Sequence, residues 1–192
     1  VTLGETFFSF FLVIVIGILL AVLLWWNETV ARVLEPYLVV LNSLPKTALA
    51  PVFIVWLGNN MKTIIVAAVS VAVFSTTITL YNTFQEMDPG KIKMIRTLGG
   101  QKKDILCKLI LPGNVPAIIS AMKVDIGLTL VGVIIGEFVA AKAGLGYLII
   151  YGSQVFKLDY VLLSIVILCL ISTGLYLLIS LLEKLCLKHY SV

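Results

Sequence analysis

The stretch FFSFFLVIVIGILLAVLLWW, residues 7–26, contains no charged side chain. An apolar helix of about 20 residues crosses the roughly 30 Å of hydrocarbon in a bilayer, and the tryptophans at its end are typical of a membrane interface. The rest of the chain is similar, since 60% of its 192 residues are apolar and 12% are charged. A soluble domain of this length cannot bury so much apolar side chain. The sequence therefore predicts an integral membrane protein.

Four more apolar runs follow, and together they predict an all-α membrane protein with about five transmembrane helices. The predicted spans are 7–26, 37–57, 63–81, 117–139 and 161–182. Residues 27–36 are interpreted as a polar link. Pro45 and Pro51 interrupt the second run, which predicts an interfacial helix up to Ser43 and then a kinked spanning helix. We expect residues 1–192 to form a single transmembrane domain.

Lysine and arginine are concentrated on one side of the predicted membrane. With five spans threaded in order, nine of the 14 cations lie on the side of the long polar loop and the C-terminal tail, and three lie opposite. Cytoplasmic loops carry such an excess, so the loop and the C-terminus are predicted to be cytoplasmic. The net charge of +4 therefore indicates orientation and no nucleic-acid partner. The nine are Arg32, Lys91, Lys93, Arg96, Lys102, Lys103, Lys108, Lys184 and Lys188, and the three are Lys62, Lys142 and Lys157.

The long polar loop, residues 82–116, begins with a predicted short helix. Asp88 is a good N-cap and is followed by Pro89, a residue favoured at the first helical position. We expect this helix to run to Leu98, where one of two glycines takes the left-handed conformation that ends a helix. Its apolar residues at helical spacing are Ile92, Ile95 and Leu98.

A second short helix is predicted over residues 101–111, ending at Pro112. Its apolar side consists of Ile105, Leu106, Leu109 and Ile110. The loop is thus predicted to be a basic, amphipathic helix–glycine–helix elbow. Charge and amphipathicity alone are also typical of an ordinary loop that lies on lipid headgroups.

The spacing within the elbow resembles the EAA loop of permeases of ATP-binding-cassette (ABC) importers. That pattern is Glu-Ala-Ala, three residues, Gly, nine residues, Ile, one residue and Leu-Pro. Gly99, Leu111 and Pro112 match this pattern here, and Leu109 conservatively replaces its Ile. The positions of the triplet hold Lys93, Met94 and Ile95. The chain therefore departs from the triplet that gives the loop its name but keeps the spacing of the elbow.

Two further stretches resemble the permeases that import nitrate, sulfonates or taurine. They are SLPKTALAPVFIVWLG at residues 43–58 and GEFVAAKAGLGYLI at residues 136–149. The likeness covers nearly the whole chain, from residue 2 to residue 185. Members of this family usually have six spans, so the resemblance implies that an N-terminal helix of the complete family fold is missing from this sequence.

The resemblance implies a bacterial cytoplasmic (inner) membrane protein that spans the membrane several times. It implies three protein partners: a second permease copy in a homodimer, a cytoplasmic ABC ATPase subunit, and an extracellular or periplasmic substrate-binding protein. ATP and Mg would be bound by the ATPase, and this chain would hold no cofactor or metal and catalyse no reaction. The implied ATPase-coupling residues are Lys93, Met94, Ile95, Leu98, Gly99, Gly100, Leu109, Leu111 and Pro112.

The translocation path is expected among small, weakly polar or helix-bending residues. Candidates for the path or its gates are Pro45, Pro51, Ser70, Ser75, Thr76, Thr77 and Glu137. Each has a simpler interpretation: small residues let helices pack closely, a proline kink can be static, and an interfacial carboxylate can bond to nearby backbone. Lys123 and Asp125 lie near the cytoplasmic end of their span, so we expect them to extend to the interface.

The sequence therefore predicts the permease of an ABC importer for a small anionic solute of the nitrate, sulfonate or taurine type. A permease for a pyrimidine-type vitamin precursor is an alternative within the same class. A secondary transporter or channel would explain the spans but not the spaced elbow. A membrane-embedded enzyme is disfavoured because His189 is the only histidine and the cysteines form no CxxC pair. The cysteines are Cys107, Cys169 and Cys186.

Overall fold

The computed structural model describes the backbone of residues 1–190 and the side chains of residues 1–185. All regular structure in this part of the chain is helical. The elements are α1 Thr2–Trp26, α2 Glu28–Ser43, α3 Lys46–Leu57, α4 Met61–Gln85, α5 Pro89–Thr97, α6 Lys102–Ile105, a π-helical turn Leu106–Ile110, α7 Leu111–Gly113, α8 Val115–Ala140, α9 Leu145–Gln154 and α10 Leu158–Tyr190.

Four helices in the described chain are long and apolar enough to cross a membrane, namely α1, α4, α8 and α10. The pair α2 and α3 is bent by 97° and counts as a fifth crossing if it is one broken span. This architecture confirms the predicted all-α membrane fold with about five spans. The sequence did not predict α9, which is ten residues long and lies between α8 and α10.

The segment after α1 is helical, so the prediction of a polar link over residues 27–36 is wrong. The Asn27 side chain accepts hydrogen bonds from the backbone N–H groups of Thr29 at 3.0 Å and Val30 at 3.3 Å. These bonds satisfy donors that a helix start leaves free. The helix α2 therefore begins at Glu28 and ends at Ser43, the end that the sequence predicted.

The centre of the bundle is α4, which packs between α1 and α8. Its contact with α8 is made at Gly132 and Gly136, which form a GxxxG pair. A Cβ atom at Gly132 would lie 2.7 Å from the Cα of Ala68, and one at Gly136 would lie 2.9 Å from the Cα of Ile64. The two backbones are therefore in direct contact, an arrangement that supplies van der Waals packing between helices in lipid.

Contacts between distant segments define two ends of the bundle. At one end, Lys102 donates a hydrogen bond to the backbone carbonyl of Trp26 at 2.7 Å, so the end of α1 lies beside the loop elbow. At the other end, the Thr2 hydroxyl donates to the Glu137 carboxylate at 2.6 Å. The α2–α3 pair returns the chain to this second end, where the residues before α4 and Ala140 line one cavity. The helices thus alternate between the ends.

The structure contradicts the prediction that Asp125 extends to the interface. Asp125 is 3% exposed, and the Thr76 hydroxyl of α4 donates to its Oδ1 atom at 2.8 Å. Lys123 forms an ion pair with Glu183 of α10. Lys123 and Asp125 therefore both have partners on neighbouring helices, as polar groups inside a membrane generally do.

We predict that Gly132→Ala destabilises the bundle because its methyl group would clash with the α4 backbone. Overpacking of this kind costs about 1–3 kcal/mol. Gly127→Ala is the matched control, since no atom lies within 4 Å of a Cβ at this position of the same helix. Thermal unfolding in detergent should show a lower midpoint for Gly132→Ala alone. Equal midpoints for the two variants would contradict the backbone contact.

Candidate functional site

The first arm of the elbow has the geometry that the sequence predicted. The Asp88 side chain accepts a hydrogen bond from the backbone N–H of Gly90 at 2.7 Å, and Pro89 begins α5. The helix ends at Thr97. Gly99 then has a φ of +82°, and no atom lies within 4 Å of a Cβ built there. The left-handed backbone, and not a lack of space, is therefore what favours glycine at this turn.

The second arm begins with a capped helix turn. The Asp104 carboxylate accepts a hydrogen bond from the backbone N–H of Gln101 at 3.0 Å. It also pairs with Lys108 one turn later at 2.7 Å. The contact with Lys108, followed by the backbone bond to Gln101, lowers the pKa of Asp104, and the same pair raises the pKa of Lys108. Asp104 therefore keeps its charge and fixes the start of this arm.

The second arm ends at Gly113, one residue after the predicted end at Pro112. Helical structure continues through the π-helical turn Leu106–Ile110 into α7, which ends at Gly113. Pro112 lies within this continuous helical run and has no backbone N–H to donate into it. Asn114 then separates this arm from α8.

One side of the elbow is anchored on the spanning helices. Ile105 and Ile110 are buried in the same apolar cluster as Leu80 and Phe84 of α4. Ile95, Leu109 and Leu111 are partly buried against this cluster.

The other side of the elbow faces outward. Met94 is 63% and Leu98 is 76% exposed, and Lys93 and Gly99 are also exposed. Between the arms lies a cavity of about 390 Å³ lined by Ile95, Leu98, Gly99, Gly100, Asp104 and Lys108. The elbow is thus a rigid bracket on α4 and α8 that presents cations and two apolar side chains to its surroundings.

The predicted path residues occupy different environments. Ser70 and Ser75 of α4 are half-buried. Thr76 and Thr77 are buried inside this subunit, at 2% and 0% exposure, and the hydroxyl of each lies within hydrogen-bonding distance of the backbone carbonyl four residues earlier in α4. The packing interpretation therefore fits these two threonines.

The two predicted proline kinks also differ. Pro45 is the N-cap residue of α3 and lies in the bend after α2. Pro51 lies inside α3. The large change of direction in this segment therefore occurs at Pro45.

Glu137 lies at the opposite end of the bundle from the elbow and is 1% exposed. Its Oε1 atom accepts a hydrogen bond from the Thr2 hydroxyl of α1 at 2.6 Å. Its Oε2 atom accepts one from the backbone N–H of Gly146, in the first turn of α9, at 2.6 Å. Thr2 in turn accepts from the backbone N–H of Leu145 at 3.0 Å. One carboxylate therefore connects three helices, and it favours the start of α9 as an N-terminal anion does.

The two glycines of the GLG sequence leave room for this carboxylate. A Cβ atom at Gly144 would lie 2.3–2.6 Å from the carboxyl atoms of Glu137, and Gly144 has a φ of +123°. A Cβ atom at Gly146 would lie 2.8 Å from Cβ and Oε2 of Glu137. The GLG sequence is therefore in direct contact with a buried acid.

Sequence reasoning missed Glu5, a 3% exposed acid in α1 whose Oε2 atom has no hydrogen-bond partner among the described residues. A charged residue early in an apolar helix was the available signal.

Cys107 and Cys169 are free and exposed, whereas Cys186 and His189 lie outside the described side chains. Within those side chains, no group of three or more His, Cys, Asp or Glu residues is placed to hold a metal ion.

These features define a class of protein: a helical membrane subunit that crosses the bilayer several times and carries a basic helix–glycine–helix elbow at one end. Residues 13–187 match the family described as binding-protein-dependent transport system inner membrane component. The chain belongs to this family.

Three relatives illustrate the range of the family. The chain is 31% identical over 134 residues to the formylaminopyrimidine transport permease protein ThiX of Halalkalibacterium halodurans, covering 70% of this chain and 54% of that protein. It is 30% identical over 176 residues to a probable ABC transporter permease protein of Haemophilus influenzae, covering 92% and 72%. It is 27% identical over 163 residues to the putative aliphatic sulfonates transport permease protein SsuC of Escherichia coli, covering 85% and 61%.

The chain thus spans from about half to about three quarters of the length of these curated relatives.

Among solved structures, it resembles a chain of the MetNI methionine ABC transporter in an inward-facing conformation. The TM-score is 0.84 at 23% identity, and the match covers 95% of this chain and 91% of that one. This likeness confirms the predicted permease fold.

We predict that Gly144→Ala displaces the Glu137 carboxylate, because the added methyl group would overlap it in a backbone conformation that favours glycine. Gly174→Ala is the control, since a Cβ there meets nothing within 4 Å. Loss of the buried contacts should cost about 1–3 kcal/mol and lower the thermal midpoint in detergent. An unchanged midpoint for Gly144→Ala would contradict the assigned role of the glycine.

Proposed function

We propose that this chain is the membrane-spanning permease subunit of an ABC importer, and that the elbow couples it to a cytoplasmic ATPase. The observation that carries the proposal is the elbow itself: two short helical arms, set by Gly99, connect α4 to α8. A rigid element fixed to two spanning helices transmits a rigid-body movement of its partner to both of them. The family assignment supports this function.

The outward side of the elbow suits a protein partner. Met94 and Leu98 supply exposed apolar area, and the cations around them supply charge complementarity to an acidic groove. We infer that this surface, with Lys93 and Gly99 at its centre, contacts the ATPase. ATP and Mg would be held by that partner, and this chain would hold no cofactor.

The distribution of cations supports a cytoplasmic location for the elbow and for the end of α10. We therefore propose a location in a bacterial cytoplasmic membrane, with the Glu137 cluster on the external side. A substrate-binding protein would deliver solute to that side. A second copy of this chain would complete the path, since the half-buried Ser70 and Ser75 lie on the central helix and can face a partner.

We propose a small anionic solute of the sulfonate or taurine type as the substrate, supported by relatives named for aliphatic sulfonates and taurine. A formylaminopyrimidine-type compound is the second candidate, favoured by the 31% identity to a permease named for that solute. The two candidates can be distinguished through the external binding protein. Its ligand can be identified directly by a binding screen with both classes of compound.

We predict that Gly99→Pro uncouples ATP hydrolysis from uptake, because proline fixes φ near −65° and Gly99 requires +82°. Gly99→Asn is the matched control, since asparagine tolerates the left-handed region. In reconstituted complexes, the proline variant should still insert, but stimulation of the ATPase by loaded binding protein should fall at least about tenfold, the effect of about 1.4 kcal/mol of lost coupling. Normal stimulation and uptake in Gly99→Pro would refute the coupling role.

A further inference from the structure

The C-terminal end of α1 receives a cation from the elbow. The last carbonyls of a helix have no partner within it, and they carry the negative end of its dipole. The last turn of α1 contains no basic residue of its own. Instead Lys102, the first residue of α6, donates from Nζ to the backbone carbonyl of Trp26 at 2.7 Å. A charge-assisted hydrogen bond thus joins the elbow to a residue 76 positions earlier in the chain.

The two tryptophans at this end of α1 contact the same cation. Lys102 Nζ lies 5.5 Å from the centroid of the Trp25 ring and 5.9 Å from that of Trp26, within the range of a cation–π interaction. Trp25 also packs against the apolar cluster that contains Ile105 of α6. Apolar packing is non-directional, whereas the carbonyl and the rings together specify one position of the ammonium group. Lys102 therefore fixes where the end of α1 lies on the elbow.

The N-terminal end of α1 is attached as well. The Thr2 hydroxyl donates to the Glu137 carboxylate of α8 at 2.6 Å and accepts from the backbone N–H of Leu145 at the start of α9 at 3.0 Å. Between its two attachments, α1 is a helix of 25 residues, about 37 Å long. One helix therefore connects the elbow with the opposite end of the bundle.

We propose that Lys102 is a positioning residue that latches the elbow to α1, and that α1 carries movement of the elbow to the Thr2–Glu137 bond at the other end. The proposal rests on the proposed coupling function. The chain itself joins the elbow only to α4 and α8, so the latch adds a third spanning helix to the body that moves with it. A helix held at both ends moves as a rigid body with its attachments.

The latch can be observed in the purified permease without an ATPase, through tryptophan fluorescence. Lys102→Met removes the ammonium group beside two indole rings, so the emission maximum should shift. Lys103→Met is the matched control, since it removes the same charge from a neighbouring side chain that forms no hydrogen bond or ion pair among the described residues. Lys102→Arg keeps a cation for the rings and should restore the emission. An unchanged maximum in Lys102→Met would overturn the latch.

The role of the latch is measured in the reconstituted complex, where stimulation of the ATPase by loaded binding protein reports a signal between the two ends. The binding protein would be loaded with the compound that its binding screen selects. We expect this stimulation to fall at least about fivefold in Lys102→Met, to persist in Lys103→Met and to recover in Lys102→Arg. Hydrolysis without binding protein should not change in any of them.

A double variant tests whether α1 carries the signal. Thr2→Val breaks the attachment at the other end and should give a similar fall in stimulation. Because the two attachments act in series, the double variant Lys102→Met with Thr2→Val should lose no more than either single variant. Losses that multiply in the double variant would overturn transmission through α1.

The same measurements separate failure of the latch from failure of the proposed function. Normal stimulation in Lys102→Met, together with a shifted emission maximum, would overturn the positioning role and leave the importer function intact. A wild-type complex that does not respond to loaded binding protein would refute the proposed function itself.

Discussion

The backbone contact between α4 and α8 at Gly132 and Gly136 is the constraint on which the rest of the structure depends. In lipid, two helices gain little from burying apolar side chains, because the surrounding acyl chains are equally apolar. Close approach through small residues supplies the packing instead. The elbow is the connection between these two helices, so its two arms start and end at positions that this contact fixes. Glu137 follows directly after Gly136, so the same contact also places the outer cluster.

Two polar clusters add specific hydrogen bonds, one within this pair and one between α8 and its neighbours. Near the middle of the bundle, Asp125 of α8 meets Thr76 of α4. At the end opposite the elbow, Glu137 ties α1 and α9 to α8. In each case, a buried acid is tolerated because a neighbouring helix supplies a donor, and each bond specifies one arrangement of helices more strictly than apolar packing would. A movement of the elbow would therefore be passed to a connected body and not to separate helices.

Local signals in the sequence predicted the apolar spans, the N-cap at Asp88 and the glycine turn at Gly99, because each depends on residues close together in the chain. The elbow was also predicted by its spacing. The start of α2 was missed because its N-cap, Asn27, stands in a stretch whose polarity suggested a loop. The bond between Thr2 and Glu137 was missed because it joins the first helix to a helix more than 100 residues later, and no local pattern reports such a contact. Asp125 was misplaced for the same reason, since its donor is on another helix.

The central claim is that this chain forms the membrane path of an ATP-driven importer, and uptake into sealed vesicles tests it most directly. The vesicles would contain the permease with its ATPase, and the binding protein with its radiolabelled ligand would be supplied on the external face. The account predicts accumulation of label only when both ATP and the ATPase are present. Accumulation driven by an ion gradient, in vesicles that lack the ATPase, would contradict it.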